Sequence, residues 1–434
     1  MCVAVLVLGG LAGSVGTARA CSCLQPDPWI YLQESDGAFV GRLVGSRDVG
    51  SGRVVLTFDV ERALKGRIGS TVEVRTVAGG STCGIEASVG ERVGLFLMRE
   101  GGAWVGSLCR QVAAERVLAA IAPLPAPNGR GPAALFVGGR FGRARVMALD
   151  ARGRTLAYGS GPGTTRLLSL CPGNKRLAEV IEVYAGNRLV IRDARTLRVL
   201  RRRVVDLPAG RTAAGLQCED VWGSSVVIFG TGPAEPPQQA GLHRLTGGRV
   251  TTIWKGSAYL SSLTPRAAYL NAGEQGARLL RIDLTTGRGR SIAWLPLAPR
   301  LVPDDTGRRL AGVAWRHPET SRLVLVELGK AVVVRSIPLA APMMTGDVHW
   351  LPNGRLLFLP TIDRDKGRVL DRSLRTRSRF GWTAHVDTAR VGSTAFGVDW
   401  MGRLVAATLP GGPERVVRRL PGGGRAEVIV AVTR

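Results

Sequence analysis

The stretch Trp350-Leu351-Pro352-Asn353-Gly354-Arg355-Leu356-Leu357 decides the fold of most of this chain, because it joins two apolar runs through a tight turn. Proline presets the backbone of a turn, and asparagine and glycine tolerate the left-handed conformations that turns require. Residues 301–310 repeat this order with aspartate in place of asparagine, and residues 399–405 form a degenerate copy. Each copy therefore predicts a β-hairpin.

Related turn signals recur at a regular interval through residues 133–434. Runs of β-type composition separate these markers, which lie at residues 150–153, 193–196, 245–248, 283–287, 328–330, 373–376 and 409–412. Their mean spacing is about 43 residues, the length of one four-stranded blade in a β-propeller. We predict an all-β chain whose residues 133–434 form a propeller of seven blades, with six or eight as alternatives.

Charge and composition divide the chain before this repeat begins. Residues 21–120 carry eleven basic and eleven acidic residues, whereas residues 121–434 carry a net charge of +25. Residues 121–132 are rich in proline and glycine, and we interpret them as a linker. The basic half predicts an anionic partner, such as a cell-wall polymer or an acidic glycan. Aromatic residues, at 5%, are scarce for a nucleic-acid stacking platform, and the arginine excess also fits a compositional bias.

The first residues have the composition of an export signal. Residues 3–16 are small and apolar, and Ala18-Arg19-Ala20 fits a signal-peptidase site. We predict that residues 1–20 are a signal peptide and that Cys21 is the first residue of a secreted, extracellular chain. A lipoprotein acylated at Cys21 is the alternative. No later apolar run is long enough to cross a bilayer, and we expect a monomer.

The cysteine count agrees with export. Cleavage removes Cys2 and leaves an even number, namely Cys21, Cys23, Cys83, Cys109, Cys171 and Cys218, as disulfide bonding requires. Cys21 and Cys23 leave the same face of an extended strand, so each needs a partner further along the chain, with Cys83 and Cys109 available. Cys171 and Cys218 lie 47 residues apart, close to one blade, and we predict that they bridge adjacent blades. A zinc site is the competing interpretation, but no second close cysteine pair or neighbouring histidine supports it.

Residues 21–120 have the pattern of a small barrel. Short β-type runs at residues 38–44, 54–60, 71–76 and 92–98 alternate with turns, and residues 111–120 have helical composition. Five strands and a terminal helix in about 100 residues predict a disulfide-bonded barrel.

The motifs of this region resemble the netrin-like module, the OB-type barrel of the tissue inhibitors of metalloproteinases. They are Cys21-Ser22-Cys23, residues 35–41, residues 58–66, Cys83-Gly84 and residues 107–109. The resemblance implies disulfides Cys21–Cys83 and Cys23–Cys109. It also implies that the Cys21 amine and carbonyl chelate the zinc of a target protease, while Ser22 enters its specificity pocket. The third disulfide of the animal inhibitory domain and their cysteine-rich C-terminal domain have no counterpart here.

No catalytic pattern is visible in the propeller region. His243, His317, His349 and His385 are isolated in sequence, and neither an H-E-x-x-H nor a G-x-S-x-G motif occurs. Residues 317–319 and 363–365 are interpreted as turns, and we expect no resident metal or cofactor. The prediction is a non-enzymatic binding protein and candidate metalloproteinase inhibitor. The alternatives are an adhesive or scaffold protein, or an exported propeller hydrolase or lyase with carboxylates or histidines converging in its central channel.

Overall fold

A computed structural model describes most of the chain, which divides into two compact units, Met1–Leu118 and Ala119–Arg434. The described residues are 28–78, 83–161, 163–183, 186–207, 212–231, 239–272, 278–294, 297–304, 306–316, 320–328, 332–339, 346–351, 353–360, 366–382, 387–399, 402–409, 412–421 and 425–431. The predicted signal peptide, Cys21, Ser22 and Cys23 lie outside them. Neither described α-helix, of seven and eight residues, has the length and hydrophobicity that a bilayer crossing requires.

The first unit is a closed five-stranded barrel with a helix at each end. Its elements are α1 (Pro28–Glu34), β1 (Gly37–Gly50), β2 (Arg53–Lys65), β3 (Thr71–Val77), β4 (Arg92–Glu100), β5 (Ala103–Val105), β6 (Gln111–Ala113) and the first five residues of α2 (Ala114–Ile121), with a 3-10 turn at Leu108–Arg110. The ring order is β1-β2-β3-β5-β4, and β1 closes it by pairing with β4. Only β3 and β5 pair in parallel among the described strands of this ring.

The barrel interior follows from the alternation of apolar residues that the sequence shows. Phe39 and Phe58 meet edge to face at 5.5 Å between ring centroids, and both side chains are fully buried. The four predicted β-type runs lie within β1, β2, β3 and β4. The expected helix over residues 111–120 begins only at Ala114, because residues 111–113 pair with β4 instead.

The described strands of the second unit form seven four-stranded antiparallel sheets. From the innermost strand outward, the first sheet is β33 (Arg425–Ala431), β7 (Leu135–Phe141), β8 (Ala144–Leu149) and β9 (Thr155–Ser160), and the second sheet is β10 (Thr164–Leu170), β11 (Arg176–Val183), β12 (Gly186–Asp193) and β13 (Val199–Val205). The third sheet is β14 (Thr212–Cys218), β15 (Ser225–Thr231), β16 (Gln239–Thr246) and the first half of β17 (Arg249–Leu263), and the fourth sheet is the second half of β17, β18 (Ala267–Ala272), β19 (Arg278–Asp283) and β20 (Gly289–Trp294). The fifth sheet is β21 (Leu297–Pro303), β22 (Arg309–Arg316), β23 (Thr320–Leu328) and β24 (Val332–Pro338), the sixth is β25 (Gly346–Trp350), β26 (Leu356–Pro360), β27 (Gly367–Leu370) and β28 (Thr376–Phe380), and the seventh is β29 (Asp387–Val391), β30 (Thr394–Val398), β31 (Arg403–Thr408) and β32 (Arg415–Arg419).

These sheets form a closed ring, because a hydrophobic cluster lies between every successive pair, including the seventh and the first. The run 356–359 shows how one strand serves two clusters. Leu356 and Phe358 pack toward the fifth sheet, whereas Leu357 and Leu359 pack toward the seventh. All four side chains are fully buried, which explains why this strand is continuously apolar rather than alternating.

The sequence markers identify particular hairpins of the ring. Each of the seven regularly spaced markers falls between the third and fourth strands of its sheet. The two Pro-Asp/Asn-Gly turns, at residues 301–310 and 350–357, instead join the first and second strands of the fifth and sixth sheets. The degenerate copy at residues 399–405 differs again, because it joins the second strand of the seventh sheet to the third.

Residues 121–132, interpreted from sequence as a linker, belong to the second unit and are bonded to its first sheet. The amides of Asn128 and Gly129 donate to the Thr155 carbonyl at 3.0 and 2.7 Å, and Leu124 packs against the cluster of the first and seventh sheets. Part of the Pro/Gly-rich segment is therefore docked on β9 rather than free as a tether.

Cys171 and Cys218 form a disulfide with a Cα–Cα distance of 4.9 Å. Cys171 follows β10 and Cys218 ends β14, so the bridge joins the innermost strands of the second and third sheets at the same end. The predicted Cys171–Cys218 disulfide is therefore present, and it joins two neighbouring sheets.

Candidate functional site

The predicted inhibitory residues Cys21 and Ser22 lie outside the described residues, so their role stays a prediction. Cys83 and Cys109 are each disulfide-bonded. The Leu108 amide donates to the Cys83 carbonyl at 2.9 Å, and the Tyr31 hydroxyl donates to the Cys109 carbonyl. The structure thus brings the two cysteine segments together, and the pairings Cys21–Cys83 and Cys23–Cys109 stay predictions.

Both histidines of the described part of the chain have hydrogen-bond partners, and His243 Nδ1 lies 3.2 Å from the Thr252 hydroxyl. His349 on β25 contacts the Thr388 hydroxyl on β29 through Nε2 at 2.8 Å, and that hydroxyl donates to Asp347 Oδ2 at 2.8 Å. Asp347 and His349 are two apart on one strand and therefore face the same neighbour. On the other face of β29, Asp387 Oδ2 accepts the Ile429 amide at 2.7 Å.

This polar chain ties the innermost strands β25, β29 and β33 together. Asp347 and Thr388 are almost entirely buried, and the Thr388 hydroxyl donates to the Asp347 carboxylate. Among the residues that the structure describes, no group of three histidine, cysteine or acidic side chains could hold a metal ion. We interpret these hydrogen bonds as contacts that hold the inner strands of neighbouring sheets together. The only sequence signal for them is the Asp-x-His spacing on an inner strand.

The ring has a turn face, which we define as the turns that join the third to the fourth strand of each sheet and, in the second to seventh sheets, the first strand to the second. Because each sheet is an antiparallel meander of four strands, all these turns lie on the same side of the ring. Ten basic residues of the described turns are exposed there, and they are Arg152, Lys175, Arg195, Arg198, Arg266, Arg288, Arg308, Arg355, Arg372 and Arg375. None of the described turn residues on this face is an exposed aspartate or glutamate.

The acidic residues of the turn face hold the turns in shape. In the turn after β21, Asp304 Oδ1 accepts the Arg308 amide at 3.0 Å and the Thr306 hydroxyl at 2.9 Å, while Oδ2 accepts Arg309 Nε at 2.8 Å. Equivalent carboxylate–amide bonds form in five other turns, at Asp150, Asp193, Asp220, Asp283 and Asp371. These carboxylates are engaged with their own turns, so the outward charge of the face is basic.

The same hydrogen bonds shift the pKa values of the turn aspartates. Burial alone raises the pKa of Asp304, but the hydrogen bonds from Arg309, Thr306 and the Arg309 amide outweigh it and lower the pKa below its usual value. Backbone donors, with the Thr196 amide foremost, lower the pKa of Asp193. The pKa values of the other four turn aspartates are lowered as well.

We expect the second unit to lose stability in acid for this reason. A folded pKa below the unfolded value of about 3.9 stabilises the protein above that pH, and the contribution is lost as the pH falls through the folded pKa. Urea unfolding between pH 6 and pH 2.5 measures the effect. Asp304→Asn should lower the free energy of unfolding at pH 6 by about 1–3 kcal/mol and flatten the decline in acid. An equally steep decline in the variant would contradict this role for Asp304.

No protein-family model matches the chain, and no curated protein sequence matches it. Several solved structures match in fold. A candidate 6-phosphogluconolactonase from Bacteroides fragilis is 11% identical with a TM-score of 0.50, and the match covers 71% of this chain and 100% of that chain. BamB from Moraxella catarrhalis is 12% identical, with a TM-score of 0.41 and coverage of 70% and 91%. The β-propeller domain of Swd1 from Myceliophteria thermophila is 14% identical, with a TM-score of 0.42 and coverage of 70% and 98%. Identities this low show at most a shared fold, and the strand order and closed ring described above make the second unit a β-propeller.

Proposed function

We propose that this chain is a secreted, non-enzymatic binding protein that holds anionic glycans on the turn face of a seven-bladed propeller. The observation that carries the proposal is the charge of that face, with ten exposed basic residues and no exposed acidic residue among its described turns. This proposal gives Asp347 and Thr388 on the inner strands a structural role, because both side chains are almost entirely shielded from solvent.

A polyanion gains from such a face in two ways. Each guanidinium offers a planar fork of donors that matches a sulfate, phosphate or carboxylate group. Clustered positive charge also raises the local concentration of an anionic chain and releases its counterions on binding, so affinity should fall steeply with salt. Trp222 is the one strongly exposed aromatic residue in the described turns of this face, at 66% exposure. A single ring is too little for serial base stacking, which favours a glycan over a nucleic acid.

The test is a loss of three charges from one sector of the turn face. Arg152→Ser, Arg195→Ser and Arg198→Ser combined should weaken binding to immobilised heparin by at least about tenfold at 0.15 M salt and reduce its salt dependence. The matched control is Arg201→Ser, Arg290→Ser and Arg415→Ser, which removes three exposed arginines from the outermost strands β13, β20 and β32. If both variants lost heparin affinity equally, net charge alone would explain the binding, and a specific binding face would be refuted.

A second function, zinc-metalloproteinase inhibition, is favoured by the first unit. Its ring order with a parallel β3–β5 pair supports an OB-type barrel, and the bonded state of Cys83 and Cys109 is what the netrin-like resemblance requires. In this proposal the Cys21 amine and carbonyl chelate the protease zinc and displace the water that the metal activates.

Inhibition of a panel of zinc endopeptidases tests this second function. The chain beginning at Cys21 should inhibit, and the same chain with one alanine before Cys21 should lose all inhibition, because the amine no longer forms the chelate. Failure of both forms to inhibit would leave the barrel a binding module. Inhibition by both forms would exclude chelation as the mechanism.

A further inference from the structure

A groove crosses the outer face of the barrel and belongs to neither proposed site. Its volume is about 610 Å³, within the range of small-ligand sites. Parts of β1, β2, β3 and β5 line it, together with the turns that precede β2 and β5. Arg47, Arg53 and Arg75 are its basic residues, Glu73 is its one acidic residue, and Trp104 forms part of its wall.

The strand register places the three arginines side by side. Val55 on β2 is paired with Arg47 on β1 and with Arg75 on β3, so two guanidinium stems flank the same valine. Arg53, two residues before Val55, lies on the same face of β2. Val55 faces away from the barrel core, yet it is only 5% exposed, as expected beneath the aliphatic stems of long side chains.

The charges of the groove are poorly balanced. Arg47 is 3.6 Å from Glu73 in an exposed ion pair, and pairs of this kind stabilise a protein only weakly. Arg53 and Arg75 form no salt bridge with a described residue. Arg53 lies diagonally across from Arg47 and from Arg75, so three positive charges share one surface, and an anionic ligand would offset their mutual repulsion.

Trp104 indicates which anionic ligand fits. The Arg99 guanidinium lies 4.3 Å from the centre of its ring and covers one face. The far edge of the ring packs so closely on Gly37 and Gly66 that a Cβ atom at Gly37 would lie 2.8 Å from it. The ring is therefore held in place and offers little open surface for stacking a nucleobase. The other polar lining residues, Ser51 and Thr71, add hydroxyls to the three guanidinium groups, and together they can hydrogen-bond the hydroxyl and anionic groups of a sugar chain.

We propose that this groove binds a short acidic oligosaccharide, whose anionic groups are met by Arg47, Arg53 and Arg75. The site lies in the first unit, so it is independent of the turn face and of the zinc-chelation proposal. Either of those can fail while this one holds.

Hydrogen exchange of the full-length protein with a heparin-derived hexasaccharide tests the proposal. The hexasaccharide should protect the amides of residues 47–55 and 71–77, also in the background of the three turn-face substitutions Arg152→Ser, Arg195→Ser and Arg198→Ser. Arg53→Ser with Arg75→Ser should abolish this protection. In the background of the three turn-face substitutions, the same pair should weaken hexasaccharide binding by at least about tenfold. The matched control, Arg62→Ser with Arg67→Ser, removes two exposed arginines of the same unit outside the groove and should leave the protection unchanged.

Stability separates a binding role from a structural one. The Arg53→Ser/Arg75→Ser protein should melt no lower than the native protein without the hexasaccharide, because relieving like-charge repulsion compensates for the lost side chains. Absence of protection in the groove, or equal loss in the matched control, would overturn the proposal. Stronger protection by a single-stranded oligonucleotide than by the hexasaccharide would overturn the assignment to an acidic sugar.

Discussion

Deleting residues 425–434 should abolish the cooperative unfolding transition of the second unit. These residues contain β33, the innermost strand of the first sheet, which pairs with β7 and joins the end of the chain to the start of the ring. Ile429 packs into the cluster between the seventh and first sheets, and Val428 and Val430 pack against the cluster between the first and second.

The expected loss is comparable to the whole stability of a domain. Ile429 is buried and contributes roughly 1.5–3 kcal/mol. Val428 and Val430 are partly buried and contribute less each, and together with the backbone bonds to β7 these terms are a large share of the roughly 5–15 kcal/mol that holds a typical domain folded. Urea unfolding followed by circular dichroism measures the change. The control is deletion of residues 432–434 alone, which leaves β33 complete and should preserve the transition. A cooperative transition of normal amplitude without β33 would show that the ring does not depend on this closure.

Glu179→Gln should lower the free energy of unfolding by about 3–5 kcal/mol. Glu179 on β11 is fully buried between two arginines that are themselves 1% exposed. Its Oε2 accepts Arg192 Nε at 2.7 Å, and its Oε1 accepts Arg145 Nε at 3.2 Å together with the Thr165 hydroxyl. Burial lowers the pKa of Arg145, and the Glu179 carboxylate opposes that shift. Without the carboxylate, two guanidinium charges remain buried beside a neutral amide.

The same strand supplies the control for this experiment. Glu182 pairs with Arg166 at 2.5 Å, but both side chains are nearly half exposed. Glu182→Gln should therefore change the free energy of unfolding by less than about 1 kcal/mol. The two substitutions make the same chemical change, but Glu179 is buried and Glu182 is not. Urea unfolding at pH 7 measures the free energy of unfolding of both variants. Equal effects of the two substitutions would contradict the claim that Glu179 compensates buried charge.

The architecture was largely predictable because its signals are local. Turn residues at residues 150–153 and six later markers determine where the chain reverses, and each marker falls between the third and fourth strands of a sheet. Cys171 and Cys218 are separated by about the length of one sheet, so they lie at the corresponding ends of β10 and β14. The ends of helices and strands were less predictable where strand pairing sets them. Residues 111–113 have helical composition, but they pair with β4 and form a strand.

The candidate sites depend on contacts between distant parts of the chain. His349 and Thr388 are 39 residues apart and meet only because β25 and β29 are neighbouring inner strands. Arg47 and Arg75 flank Val55 only in the observed register, since a shift of one residue would turn Arg75 to the opposite face. Composition shows the arginine excess, but it does not show which of these arginines share a surface.

Local sequence patterns were enough to predict the all-β class, the period of the repeat and the Cys171–Cys218 disulfide. Turn propensity and strand alternation operate over a few residues, and the repeat then copies them along the chain. The folded structure was needed to show that β33 closes the ring and that Glu179 balances buried arginines. It also decided that the turn aspartates face inward to their own backbone while the arginines face outward. These features depend on strand register and packing between sheets, which no local pattern specifies.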